Sequence, residues 1–218
     1  MRSLKNNRKP WVVALIIIIA LIMVLPIYDV VNVVGDNRNA AGSPDASPQD
    51  FMEELREEAE RLENYIEERE PTVPVLQELA QIYRTMSMFM EEEEVNYTEK
   101  ATIVMEDAVE LDPSDPGNYL FLFELYNELG KTEEAVEKAE TLEAMLLEQL
   151  ENDPADNTSR FYYSILLEDY HGDLSAAREQ LEMILDTEPE ESQLYAHAKT
   201  EIERIDNLTE PENGEDNG

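Results

Sequence analysis

The sequence predicts an all-α protein: a solenoid of helical hairpins preceded by a single transmembrane helix. Three observations carry this. Apolar residues recur at helical spacing from residue 48 to 208 and are interrupted by prolines and glycines. Successive helical stretches share an order of large and small residues, as stacked hairpins require. The one stretch rich in β-branched residues, Trp11 to Tyr28, is uncharged and apolar along its length, so no β signal competes.

Residues 11–28 form the apolar core of the anchor, and a helix of that length covers about 27 Å, close to a hydrocarbon layer. Residues 29–34 are mixed and extend it into the headgroups, giving an anchor over 11–34. Trp11 and Tyr28 bracket the span, where amphipathic rings favour the interface. Arg2, Lys5, Arg8 and Lys9 precede it and every acidic residue follows it. The expectation is a single-pass protein of the cell membrane, with residues 1–10 cytoplasmic and the rest extracytoplasmic. A cleaved signal peptide is the alternative, with small residues at Asn39-Ala40-Ala41-Gly42. It would make the product a secreted binding protein. Against it, the apolar run exceeds a usual signal core of roughly 7–15 residues. With no cysteine, lipid-modified cysteine, disulfides and thiolate metal sites are excluded.

Residues 35–47 read as a flexible linker rich in Gly, Asn, Ala and Ser. Ser47-Pro48-Gln49-Asp50 starts a helix, with serine as cap and proline in the first turn. Phe51, Leu55, Ala59, Leu62 and Ile66 make one apolar stripe on it, and Pro71 and Pro74 end it and open the next. A helix from Val75 to about Met90 carries Leu76, Leu79, Ala80 and Tyr83. Another from Thr98 to Leu111 carries Ala101, Met105, Ala108 and Val109. After Asp112-Pro113, Asp115 caps a helix with Pro116 in its first turn, packed by Tyr119, Leu122, Leu125, Tyr126 and Leu129 and stopped by Gly130. Glu133 to about Leu150 returns. Asp153-Pro154 breaks the chain again, and Phe161 to Tyr170, Gly172 and Leu174 to Leu185 form a third pair. Thr187 and Glu190 are expected to box the start of a last helix. Leu194, Ala198, Ile202 and Ile205 line one side of it, and its polar other side suits the end of a stack. The helical domain therefore covers 48–208, and 209–218 is an acidic tail expected to be disordered.

Tyr119-x-x-Leu122, Tyr126, Gly130 and Ala135 resemble the tetratricopeptide (TPR) pattern. Leu79-Ala80-x-x-Tyr83 resembles a first half of that repeat. Asn96 to Ala101, with Ala108 and Leu111-Asp112-Pro113, resembles a second half. Tyr163-x-x-Leu166-Leu167-x-x-Tyr170 and Gly172 to Ala177, with Ile184, Leu185 and Pro189, resemble a third repeat. The resemblance spans about residues 74–190. The chain departs from the pattern around Met86 to Glu94, where residues are inserted. Phe123 stands where a small residue is usual and is expected to push its helices apart. Ala139 stands where an aromatic is usual. With Tyr170 as the aligned tyrosine, the third turn is about two residues short.

The family resemblance implies a non-enzymatic scaffold that binds protein on the face formed by the first helix of each pair. It places Gln77, Gln81, Arg84, Leu120, Glu124 and Asn127 on that groove. The family's chaperone-binding branch holds a terminal carboxylate with lysines and asparagines. Helix 119–129 has no Lys or Arg, so a segment with cationic and apolar side chains is the better fit. The layout of short anchor, linker, amphipathic helix and stack also resembles the TPR factors that assist cytochrome c and heme-enzyme maturation. This gives an alternative reading as an assembly factor.

The formal charge is −35, and the part beyond residue 28 carries 12 − 51 = −39. That field repels nucleic acid and anionic lipid and attracts cationic partners. A solvated surface suited to salty or alkaline surroundings is the plainer reading of the same charge. His171 and His197 lie outside any His-Glu-x-x-His pattern and read as structural or surface residues. The acidic turns Asp112 to Asp115 and Asp153 to Asp156 lack a calcium loop's glycine and terminal glutamate and read as breakers and caps. No phosphate-binding or nucleophile-elbow motif occurs, and no cofactor or metal is expected.

Overall fold

A computed structural model describes residues 48–89 and 96–209. The anchor at 11–34, the linker at 35–47, the cap at Ser47, most of the Met86–Glu94 insertion and tail residues 210–218 lie outside the described residues. Among the described residues there are eight helices and no strand, and no helix is long and apolar enough to cross a membrane. All of them fall within one compact unit, Asp45–Gly218.

Helix α1 is Pro48–Glu68, α2 Val73–Phe89, α3 Tyr97–Leu111 and α4 Pro116–Glu128. Helix α5 is Thr132–Asn152, α6 Asn157–Asp169, α7 Leu174–Thr187 and α8 Gln193–Thr209. Each packs on the next. In addition α4 touches α6, and α6 touches α8, so the leading helices of successive hairpins lie side by side.

The helix starts follow from carboxamide, carboxylate and hydroxyl caps, which take up otherwise unpaired N–H groups. Asn96 Oδ1 accepts from Glu99 N at 2.9 Å, and Asp115 Oδ1 accepts from Gly117 N at 2.9 Å. Asp173 Oδ1 accepts from Ala176 N at 2.9 Å. Asp156 Oδ1 accepts from Thr158 N and Ser159 N at 3.1 Å, and so α6 begins four residues before the expected Phe161. The last helix is started differently from the expectation. Thr187 and Glu190 do not box it: Thr187 is the final residue of α7, and its hydroxyl donates back to Met183 O at 2.8 Å. Ser192 Oγ caps α8 instead, accepting from Tyr195 N at 3.0 Å. Thr209, expected in the tail, closes α8 with its hydroxyl on Ile205 O at 3.0 Å.

Gly130 stops α4 by turning left-handed, φ 68°. Lys131 N reaches Tyr126 O at 2.9 Å and Gly130 N reaches Asn127 O at 3.0 Å, the paired bonds of a Schellman stop. Nothing lies within 4 Å of a Cβ built there, so Gly130→Ala should lose only backbone energy, about 1 kcal/mol. Urea unfolding checks this; Gly130→Asn should recover part of the loss, because asparagine tolerates the left-handed region.

At the third hairpin the closing bond runs from Asp173 N to Leu167 O, 2.8 Å, around Gly172 with φ 68°. Leu167, not Tyr170, therefore holds the place of Tyr126, and the turn is longer than its counterpart rather than shorter. Counting from the caps agrees. Tyr83 follows Thr72, Tyr126 follows Asp115 and Leu167 follows Asp156 by the same interval. In this frame Ser164 supplies the small residue that Ala80 supplies in the first hairpin. Leading helices start at Val73, Pro116, Asn157 and Gln193, spaced 43, 41 and 36 residues (116 − 73, 157 − 116, 193 − 157). The family pattern is about 34. The excess lies in the segment between α2 and α3, in the 21-residue α5, and in the longer turn at Gly172.

The interior has two parts. One runs from Ala59 and Leu62 of α1 through α2, α3, α4 and α5 to Leu166 of α6. The other gathers Leu167 with Ala177, Leu181 and Ile184 of α7 and Leu194, Ala198, Ile202 and Ile205 of α8. Adjacent residues of α6 thus serve different cores. Phe123 is 3 % exposed, and its ring meets Tyr170 edge-on at 6.1 Å, so it is turned toward α6. Among the described residues, no buried side-chain nitrogen or oxygen lacks a partner.

Candidate functional site

The side-by-side leading helices α2, α4, α6 and α8 form the candidate surface, and polar side chains tie them together. Gln77 Nε2 donates to Asn118 Oδ1 at 2.8 Å and to Asp115 Oδ2 at 3.2 Å, joining α2 to the start of α4. Further along, the Arg84 guanidinium bonds Glu124 and also Glu128, the latter at 2.8 Å, and sits 5.4 Å from the centre of the Phe121 ring. Tyr162 of α6 covers Gly117: a Cβ there would lie 3.2 Å from the phenol oxygen. Arg204 of α8 donates to Glu168 of α6 at 2.7 Å and to Glu201 at 2.6 Å.

Of the residues expected on the groove, Gln77, Arg84 and Glu124 are brought together by these bonds. Gln81 is half-buried on the same helix, and Asn127 is exposed. Leu120 is 7 % exposed and belongs to the core, because α4 is flanked by both α2 and α6; it is not presented to a ligand. The third leading helix, expected over Phe161 to Tyr170, also contributes residues to the face that the sequence reading does not name. With α6 placed by its Asp156 cap, Phe161, Ile165 and Glu168 hold the positions of Leu120, Glu124 and Asn127. The sequence signal was present: Asp156 stands to Leu167 as Asp115 stands to Tyr126.

The electrostatics of the face are set by carboxylates. Burial works against the charge of Arg84, but Glu124 and Glu128 outweigh it and keep the guanidinium above its ordinary value. Hydrogen bonding from Glu168 does the same for Arg204. Both arginines are thus engaged within the fold. Asp169 is exposed as a residue, yet desolvation of its carboxyl raises its pKa, with the charges of Glu168, Glu124 and Glu201 adding to the effect and Arg204 opposing it. A carboxyl whose pKa is raised by folding stabilises the fold in its protonated form, and loses that contribution as pH rises through the folded value. Asp169→Asn should therefore raise Tm at pH 7 by about 1–2 °C, with the gain shrinking toward pH 4. Thermal melts across that range check it.

Among the described residues, no group of three or more His, Asp or Glu could hold a metal ion. His171 bonds Glu143 at 2.9 Å, and the His197 ring lies 6.3 Å from the Phe161 ring. Asn157, part of a glycosylation sequon, is 8 % exposed, and its amide donates to Thr187 Oγ1 and Glu188 Oε1 at 2.9 Å each, so it is closed to modification.

No family model matches the chain, and no curated protein matches its sequence. Solved structures do. TTC0263, a thermophilic TPR protein of Thermus thermophilus, matches with a TM-score of 0.50 at 19 % identity, covering 71 % of this chain and 76 % of that one. The fold is TPR-like. A TPR protein from Parabacteroides merdae ATCC 43184 matches at 20 % identity with a TM-score of 0.42, covering 73 % of this chain and 61 % of that one. YrrB, described as a TPR protein with an unusual peptide-binding site, matches at 17 % identity and 0.31, covering 69 % and 87 %. In TPR terms α2–α3, α4–α5 and α6–α7 are three repeats. Helices α1 and α8 close the two ends of the stack.

Proposed function

We propose that this protein is a TPR scaffold that binds a protein segment across its leading helices, held at a membrane by residues 11–34 with the helical domain extracytoplasmic. The observation that carries the binding reading is the state of the cations on that face. Arg84 and Arg204 are both consumed by carboxylates of the fold, while Asn127 and Asp169 stay exposed. A partner supplying cationic and apolar side chains complements this surface, with half-buried Ile165 between the polar positions. The uncharged run 11–28, preceded by four cations, supports the anchor and its direction. The scaffold itself performs no chemistry in this reading.

Crosslinking in intact membranes followed by mass spectrometry tests both parts. The full chain should sediment with membranes and capture a discrete partner. Asn127→Lys with Asp169→Lys, both at exposed positions, should remove that partner without unfolding the domain. A full chain recovered in the soluble fraction would end the anchor reading. Undiminished capture by the doubly reversed variant would end the proposed binding face.

A further inference from the structure

Each junction with the next leading helix carries a polar pair that bridges the two helices, and the α5–α6 junction carries a second bond, Ser159 Oγ of α6 donating to Gln149 Oε1 of α5 at 2.7 Å. Between α1 and α2, Tyr83 donates its hydroxyl to Glu63, and Lys100 joins Glu63 at 3.2 Å. Between α3 and α4, Tyr126 donates to Glu106. These two pairs are placed alike: Glu63 and Tyr83 stand symmetrically about Val73, and Glu106 and Tyr126 about Pro116. Between α5 and α6 the corresponding residues are Leu147 and Leu167, which can form no such bond. A polar pair lies one helical turn outward from these positions, Glu143 of α5 with His171 just past the end of α6, Nε2 to Oε1 at 2.9 Å. Between α7 and α8 it is Arg178 with Asp206, 2.8 Å.

The four fasteners differ in one chemical respect. Tyrosine stays neutral and arginine stays charged throughout the neutral range, whereas imidazole is the side chain whose ordinary titration falls between about pH 5 and 8. A charged imidazolium attracts the Glu143 carboxylate; a neutral ring offers only an ordinary hydrogen bond. The neighbouring elements place these groups near the pair. Helix α5 contributes Glu143 and, near it, exposed Glu140; its single cation, Lys138, is paired with Glu137 at 3.1 Å. Helix α6 contributes the phenols of Tyr163 and Tyr170. The turn into α7 contributes Asp173, engaged by the Ala176 N–H; α4 contributes the Phe123 ring, through Tyr170, and Glu124, whose charge is felt at Asp169 two residues before His171.

We infer that the α5–α6 junction is pH-responsive at one end: Ser159 and Gln149 hold it near the start of α6, while His171 and Glu143 fasten its far end under mildly acidic conditions and slacken as the imidazole loses its proton, the other three junctions staying unchanged. The joint reaches the leading-helix face. The His171 ring lies 4.8 Å from Tyr170, and Tyr170 meets Phe123 of α4. Protonation thus bears on how α6 seats against α4.

A double-mutant cycle on the full chain tests this, with Glu143→Gln, His171→Gln and the pair, each melted at pH 5.5 and pH 8.0. Glu143→Gln should lower Tm by about 2 °C at pH 5.5 and by much less at pH 8.0. In the His171→Gln background that difference should vanish. Glu106→Gln, acting on the α3–α4 fastener, should lower Tm equally at the two pH values. A Glu143→Gln loss that is the same at both pH values, or that survives His171→Gln, overturns the inference. Amide exchange at Tyr170 to Asp173, corrected for intrinsic rate, gives a reading that needs only the wild type. Protection should be greater at pH 5.5 than at pH 8.0, and equal protection refutes the joint.

Discussion

Leu142→Ala is expected to destabilise the domain by about 3 kcal/mol, while Leu147→Ala, on the same helix, changes it by about 0.5 kcal/mol or less. Both substitutions remove the same atoms from α5. Leu142 is 0 % exposed and lies in line with Ala135, Ala139 and Leu146, the stripe that α5 turns inward. Truncation there removes buried methyl groups and leaves a void that rigid flanking helices fill only in part. Leu147 is 46 % exposed, so its truncation surrenders little buried area and opens no void. Urea midpoints at constant m-value measure both. Similar losses from the two would mean that α5 is rotated from the placement described above.

Ala139→Phe is expected to cost about 3 kcal/mol or more, and much of that loss should be recovered by adding Phe123→Ala. The TPR pattern has a small residue in the first helix of a repeat and an aromatic in the second. The middle repeat carries them the other way round, Phe123 on α4 and Ala139 on α5. Both are buried, at 3 % and 0 % exposure, in one continuous core. A ring added at position 139 has no space, because close-packed interiors do not yield by several carbon atoms. Phe123→Ala alone should cost about 3 kcal/mol through the void it leaves and the lost edge contact with Tyr170. The decisive quantity is the coupling between the two sites from a denaturation cycle. Strict additivity would show that the two volumes are independent and that the exchange is incidental.

These two residues also show where the sequence could be read and where it could not. Helix existence and order were legible because the caps and stops are local: Asp115 with Pro116 and Gly130 act on their own neighbours. The apolar stripes of α1 and α8 were legible for the same reason, being periodic within one helix. Register across helices was not. Tyr170 resembles the repeat tyrosine by its spacing from Tyr163, but the chain placed Leu167 there, because Asp156 fixes the start of α6 and the Gly172 turn carries extra length. Ser192 and Thr187 both lie before an apolar run, and only the position of Pro189 relative to the end of α7 separates the cap from the helix end. The candidate face suffered most. The family pattern puts Leu120 on it, and nothing in a one-dimensional pattern reports that Leu120 is 7 % exposed and part of the core. The pairing of Arg84 with Glu124 and Glu128 is likewise a fact of three dimensions, spanning some forty residues of chain.

The division of the interior between Leu166 and Leu167 bears on how the chain is made as well as on how it stands. A polypeptide leaving the ribosome presents α1 to α6 first, and the buried residues of the larger core end at Leu166, with Tyr170 at the close of α6 packed against them. Its greasy surfaces can therefore be hidden before translation of α7 and α8 is finished. The final two helices then settle on a template already firm, and a newborn chain stalled ahead of them exposes little to aggregate.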